Sequence, residues 1–366
     1  MRAIEAKVRA GDRVSSSDAA WLLSDAPLIE LGSLANEVRF QRHPERVVTY
    51  VVDTNLNYTN LCDAYCTFCA FYRPHTSTAA DTYTRTVEEM LDRMALAVER
   101  GCTTVLMQGG LNPELPFEYY TEMVLATRKR FPGLTPHFWS APEVYEMAKV
   151  SGLEYGEIMA GLFSAGQRTF PGGGAEVLSN RVRNEISPLK MDADEWIAVH
   201  LAAHQAGVCS TATMMYGHVE TDDDIVEHLS RVRNLQDETG GFTAFIPWSF
   251  APGDTPLGRK LKDERALANR YLRILATARL FLDNVNHIDA SWFSEGKKVG
   301  QIALHFGADD FGGTLFEENV MQEAGHFVRT SIAETHTMIR EAGFVPAQRN
   351  SFYDVLRVFH EASTDV

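Results

Sequence analysis

The sequence predicts an α/β protein built as a (β/α)8 barrel, with a helical extension at the N-terminus and helices at the C-terminus. Three observations carry this. Short β-branched or apolar runs alternate with longer helical patterns eight times, and such alternation means parallel strands joined by crossover helices. At 366 residues the chain has the length of such a barrel with additions. Three of its five cysteines crowd into the stretch directly after the first strand, and barrels of this kind carry their chemistry on the loops that follow strands.

Residues 1–48 read as a helical extension, a lid or plug in front of the barrel. Ser16, Ser17 and Asp18 can cap the run from Ala19 to Leu23, and a second helix covers Leu31 to Gln41 before Pro44. The barrel is expected over 49–320. Its first strand is the β-branched and aromatic run from Val47 to Asp53. Thr86-Val-Glu-Glu89 is a capping box that opens a helix ending at Arg100 and Gly101. Thr103 to Gln108 is the second strand, closed by Gly109-Gly110, and Phe117 to Phe131 a helix stopped by Pro132-Gly133. Further strands are expected at Pro136–Ser140, Gln167–Phe170, Cys209–Met215, Thr243–Trp248, Asn286–Ala290 and Ala303–Gly307, the last alternatively nearer Asp309. Between them lie helical patterns at Glu143–Val150, Glu154–Ser164, Ala193–Gln205, Asp222–Asp237, Asp263–Asp283 and Gly296–Ile302. Residues 321–366 read as a helical segment packed on the barrel.

Composition narrows the function classes. With 45% hydrophobic and 23% charged residues the chain has an ordinary globular balance. Its net charge of −15, from 34 basic and 49 acidic residues, repels nucleic acid and anionic membrane. No run of eighteen apolar residues predicts a membrane span, and the first residues carry no secretory h-region. An odd number of cysteines, three of them clustered, fits reduced thiols in a cytoplasm rather than a disulfide framework. A small-molecule substrate is expected.

The cysteines read Cys62-x3-Cys66-x2-Cys69. Three thiolates in one loop can hold an iron–sulfur cubane and leave one of its four irons open for a ligand. A zinc knuckle would need a fourth ligand, and Cys102 and Cys209 stand at strand starts far along the chain. A redox pair at Cys66 and Cys69 would not explain Cys62. Other strand ends carry polar or glycine-rich runs. Gly109-Gly110 is either a tight turn or a place where backbone approaches a ligand closely. Pro171-Gly-Gly-Gly-Ala-Glu176 is a flexible turn, a phosphate nest or a backbone platform with Glu176 beside it. His218 and Glu220 are either site residues or part of a helix start. Asp289, ending the seventh strand, and Asp309, near the eighth, either hold a polyol substrate and accept a proton or cap helices. His200-x3-His204 lies mid-helix and reads as a packed or solvated face rather than a metal pair.

The cysteine spacing after a first barrel strand resembles the radical S-adenosylmethionine superfamily. The resemblance implies a [4Fe–4S] cluster on Cys62, Cys66 and Cys69, with S-adenosylmethionine chelating the open iron. It places Phe68 beside the adenine. It sets Gln108-Gly109-Gly110 where the superfamily has a Gly-Gly-Glu run at the methionine amine, although the glutamate is missing here. Ser140 and Glu176 complete the expected cofactor contacts.

A wider resemblance covers nearly the whole chain. The runs Ala70-Phe-Tyr-Arg73, Met107-Gln-Gly-Gly-Leu-Asn-Pro113, Pro171-Gly-Gly-Gly-Ala-Glu176, Ile186-Ser-Pro188 with Lys190, Thr211-Ala-Thr-Met-Met215, Gly217-His-Val-Glu-Thr221, Phe245-Ile-Pro-Trp248 and Asp310-Phe-Gly-Gly313 resemble the radical enzymes of the futalosine route to menaquinone. The pattern is similar above all to the cyclic dehypoxanthine futalosine synthase family. Aminofutalosine synthases and FO synthase subunits share much of it, and Tyr72-Arg73 and Trp248 favour the cyclases. Ala251-Pro-Gly-Asp254-Thr departs from the Gln-Pro-x-Asn-Thr run of that family. The implied reaction takes hydrogen from C4′ of the ribose of dehypoxanthine futalosine by a 5′-deoxyadenosyl radical. The carbon radical adds to the benzoate ring, and a proton and an electron are lost. His218, Glu220 and Asp289 are the expected bases. Arg73 is expected to grip the benzoate carboxylate, with Tyr72, Trp248 and Asp309 as further substrate contacts. A reductant such as flavodoxin or ferredoxin is implied. The alternative from another class is a non-catalytic iron–sulfur electron carrier.

Overall fold

The expected first strand is broken in two. In the computed structural model, which describes residues 1–262, 265–327 and 329–360, Val47–Val51 (β1) and Asp53–Leu56 (β2) belong to different sheets. The remaining strands are β3 (Thr104–Met107), β4 (Thr135–Phe138), β5 (Thr169–Phe170), β6 (Cys209–Tyr216), β7 (Phe242–Ser249), β8 (His287–Ile288), β9 (Asp310–Gly313), β10 (Val345–Arg349) and β11 (Val355–Val358). β10 causes the break. It pairs in parallel with β1, so β3 gains access to the same stave only from residue 52 onward, where the Thr103 N–H donates to the Val52 carbonyl at 2.9 Å.

Strands β2 to β8 form one parallel sheet in chain order. β9 extends it and then meets the other end. The Ala290 N–H donates to the Asp310 carbonyl at 2.8 Å, and β9 pairs in parallel with β1. Beyond β9 the chain keeps following β2, with the Asn55 N–H on the Glu317 carbonyl at 2.8 Å. The ring therefore closes on the β1–β2 stave, as the (β/α)8 reading expects.

Inside and outside alternate along each stave as strand geometry requires. On β3, Thr104 and Leu106 face the interior, while Val105 and Met107 are buried against the surrounding helices. Those helices begin where the sequence places caps. The Thr86 side chain accepts from the Glu89 N–H, the Asp192 side chain from Glu195, and the Thr221 side chain from Asp224. Such caps are each worth roughly 1 kcal/mol.

Three expectations need correction. The N-terminal helices Arg2–Arg9, Ser16–Ser24 and Leu28–Arg42 are not a lid. The second and third pack on the outer helices Asp222–Thr239 and Ala268–Phe281, where Arg273 donates to the carbonyls of Leu22 and Ala26. The eighth barrel strand is β9, at the alternative position near Asp309 and not at Ala303–Gly307, because Lys297–Ala303 is helical and Gly307 turns the chain with a φ of 111°. The C-terminal segment is only partly helical. After the helix Ile332–Glu341 it forms β10 and an antiparallel return strand, β11. Pro346 hides this strand in the sequence, since proline argues against a central strand. The helix expected from Asp263 is observed over Ala268–Phe281, and Asp263 and Glu264 lie outside the described residues, as do 361–366.

Candidate active site

The barrel encloses a cavity of about 380 Å³, and the three cysteines stand at one end of it. β2 delivers the chain to this end, and the loop after it is pinned at both edges. The Cys62 N–H donates to the Arg73 carbonyl at 2.8 Å, the Arg73 N–H to Asn60 at 2.7 Å, and the Thr67 N–H to Ile186 at 2.8 Å. Cys62, Cys66 and Cys69 are free thiols packed with Ala64 and Leu111. Burial pushes all three thiols up, while the Lys190 ammonium pulls Cys66 back. An apolar, buried set of thiols is a poor place for lone thiolates and a suitable one for thiolates that share a bound metal cluster. The donor set fits an iron–sulfur cluster.

The neighbouring strand ends are shaped around this loop. A Cβ on Gly110 would overlap the Leu61 carbonyl, and one on Gly109 would overlap the Tyr58 ring. Glycine is required at both because β3 ends against the cysteine loop. Glu143 locks the arrangement. It accepts from the Gly109 N–H at 3.0 Å, the Ser140 N–H at 2.6 Å, the Ser140 hydroxyl at 2.7 Å and the Tyr58 hydroxyl at 2.8 Å. Burial pushes its carboxyl up to about 7. The sequence reading missed Glu143, though Ser140-Ala-Pro-Glu143 is a capping-box pattern that signals it.

Glu176 sits across the cavity in a left-handed conformation, with φ 43°. It accepts from Lys190 at 2.8 Å and Arg183 at 3.1 Å. Burial opposes its ionisation, but those two cations hold it below the usual carboxylate range. The side walls are aromatic, with Phe68, Tyr72, Trp248 and Phe293. The far end is polar and comes from the C-terminal segment, through Arg349, Ser351 and Tyr353. Arg349 pairs with Asp310 at 2.9 Å and lies over the Tyr353 ring at 3.7 Å. The Tyr353 hydroxyl donates to Asp289 at 2.9 Å. Burial, reinforced by Asp310, pushes the Asp289 carboxyl well up.

Phe68, Gln108, Gly109, Gly110, Ser140 and Glu176, the expected cofactor contacts, thus share one cavity with the cysteines and with Tyr72, Trp248 and Asp289. Four predicted residues do not line it. The His218 side chain is fully buried in the turn after β6, bonded to the Met215 carbonyl at 2.9 Å. Glu220 accepts the Gly217 and His218 N–H groups at 2.7 and 2.9 Å, so both residues hold a turn. Arg73 donates to the carbonyls of Ala70, Phe71 and Tyr72 and pairs with Asp81. Asp309 precedes β9 and pairs with buried Arg279 and with His287 at 2.6 Å. His200 is buried against Trp196 and bonded to Ser210, a packed face as read.

Residues 56–232 match the Radical SAM superfamily, and residues 239–362 match the CofH/MqnC C-terminal region. The cyclic dehypoxanthine futalosine synthase of Streptomyces coelicolor is 42% identical over 98% of this chain and 90% of its own length. The chain belongs to the radical S-adenosylmethionine superfamily. It is an enzyme of that superfamily. The aminodeoxyfutalosine synthase of Thermus thermophilus is 37% identical over 97% of this chain and 96% of its own length. Among solved radical enzyme structures, methylornithine synthase superposes with a TM-score of 0.73 at 17% identity, covering 94% of this chain and 97% of that one. This likeness concerns the fold alone. The CofH/MqnC match includes β10 and β11, so the far end of the cavity comes from that region. Among the described residues no helix is long and apolar enough to cross a membrane.

Proposed function

We propose that the chain cyclises dehypoxanthine futalosine to cyclic dehypoxanthine futalosine in menaquinone biosynthesis. The observation that carries this reading is the 42% identity to a cyclic dehypoxanthine futalosine synthase over 98% of the chain. In this reading Cys62, Cys66 and Cys69 hold a [4Fe–4S] cluster, and Phe68, Gln108, Gly109, Gly110, Ser140 and Glu176 cradle S-adenosylmethionine. Bound there, the pair supplies a 5′-deoxyadenosyl radical that takes hydrogen from C4′ of the substrate.

The chain's own residues position and shield. Tyr72 and Trp248 offer flat walls to the benzoate ring. Glu143 fixes Gly109 and Ser140, so the cofactor end is preorganised before ligand arrives. Asp289 accepts from the Tyr353 hydroxyl and helps to shape the polar far end. A reductant of the flavodoxin or ferredoxin class and a cytoplasmic setting belong to the same reading.

The test is turnover of anaerobically reconstituted protein with S-adenosylmethionine, a reductant and dehypoxanthine futalosine. The expected product is two hydrogens lighter than the substrate, one removed as an atom and one as a proton with its electron, and appears together with 5′-deoxyadenosine. Turnover of the aminodeoxyfutalosine synthase or FO synthase substrate instead would overturn the assignment. A cluster that only carried electrons would form no 5′-deoxyadenosine.

A further inference from the structure

We propose that Asp53 and Asn55 on the inward face of β2, together with Glu318, form the subsite that takes the hydroxyl groups of the substrate's pentose. The inference rests on the functional reading above and adds the part of the chain that recognises the sugar.

The sequence Asp53-Thr-Asn55-Leu-Asn57 alternates polar and outward-facing residues along one stave. Asp53, Asn55 and Asn57 all line the cavity, and all are buried. Buried polar groups are expected to be paired. Asn57 is: its amide donates to the Gln108 carbonyl at 2.9 Å and accepts from Asn319 at 3.0 Å. Asn55 is not. Its Nδ2 reaches Glu318 only at 3.4 Å, and its Oδ1 has no partner among the described residues. Asn55 lines the cavity with this acceptor shielded in the wall, and a turn of the amide brings it to a ligand's donor.

Asp53 shows the same preparation. Its Oδ1 accepts from the Leu315 N–H at 2.9 Å. Its Oδ2 lies so close to Gly313 that a Cβ there would overlap it. Glycine is unfavourable inside a strand, yet β9 carries two, and the second makes room for this carboxylate. Burial pushes Asp53 and Glu318 each up to about 6, and each group is met by backbone N–H groups. A carboxylate of this kind accepts from a hydroxyl.

The wall is rich in acceptors: two carboxyl groups and the amide oxygen of Asn55. It suits a ligand that brings O–H donors and repels a phosphate or carboxylate. Along β2 the row leads from the Arg349 end toward the cysteine loop. A pentose held on it lies between the polar end and the cofactor end.

The test compares dehypoxanthine futalosine with an analogue lacking one pentose hydroxyl. Calorimetric titration of the reconstituted enzyme is followed by the KM and kcat of turnover. The analogue should bind the unmodified enzyme roughly tenfold more weakly. Asn55→Ala and Asp53→Asn should lose most of that preference and raise KM for the full substrate. The subsite is overturned if the unmodified enzyme binds both ligands alike while still forming the cyclic product, a result that needs no variant to fold and leaves the functional reading intact. It is also overturned if Asn55→Ala keeps the full preference. An unmodified enzyme that binds neither ligand removes both readings together.

Discussion

At the residue scale, one polar side chain can brace backbone or meet a ligand, and only its partners decide which. Arg73 follows the cysteines and has the chemistry to grip a carboxylate. Its guanidinium is instead spent on three carbonyls of its own loop, at 3.2, 3.3 and 3.0 Å, and on Asp81. It acts as a clasp on the turn that carries Cys69. Arg73→Ala should therefore leave substrate affinity unchanged and weaken retention of the cluster. Iron content after gel filtration and a substrate titration check the two halves, and a large rise in substrate Kd with normal iron would restore the carboxylate role. His218 and Glu220 teach the same lesson. Their pattern before a helix is equally a site and a turn, and the buried His218 ring bonded to Met215 makes it a turn. Glu143 is the reverse case, a capping residue that became the organiser of the cofactor end.

At the scale of elements, what was legible is what depends on neighbours in sequence. The capping box at Thr86 and the strand–helix rhythm are local, and the structure bears them out. What was not legible depends on partners far along the chain. β10 contains Pro346 and reads poorly as a strand, yet it splits the first stave by pairing with β1. Asp309 and Asp310 are neighbours, but only long-range contacts show that Asp309 joins Arg279 while Asp310 joins Arg349. The glycines of β9 look like a loop until Asp53 is placed beside them. That contact makes a prediction about two staves. Gly313→Ala should cost about 1–3 kcal/mol in urea unfolding, from overpacking against the Asp53 carboxylate. In an Asp53→Ala background the same substitution should cost much less, because the overlapping atoms are gone. Equal costs in both backgrounds would show that the close approach is not what fixes glycine there.

At the scale of the molecule, barrel closure and cavity polarity depend on one buried ion cluster. Arg349 comes from β10, Asp310 from β9, Asp289 from the end of β8, and Thr49 on β1 bonds Asp310 at 2.5 Å. The C-terminal segment thus sets the far end of the cavity and joins the last staves to the first. Burial opposes the charge on Arg349, and Asp310 more than restores it. Removing one partner of a buried pair is costlier than the pair's own worth, because it strands the other charge. Arg349→Leu should lower stability by roughly 3–5 kcal/mol at pH 7.5. The sign of its pH dependence follows from linkage. Asp289 already has a raised pKa in the fold, and loss of Arg349 raises it further while leaving Asp310 without a counter-charge. A group whose folded pKa lies above its unfolded value contributes fully below the unfolded value, and loses that contribution as pH rises through the folded one. The variant's loss should therefore be smallest in acid and grow as pH rises through the folded-state value of Asp289. Urea unfolding of both proteins across that rise measures it, and a loss independent of pH would mean that packing of the Arg349 side chain over Tyr353, rather than its charge, holds the barrel's last staves together.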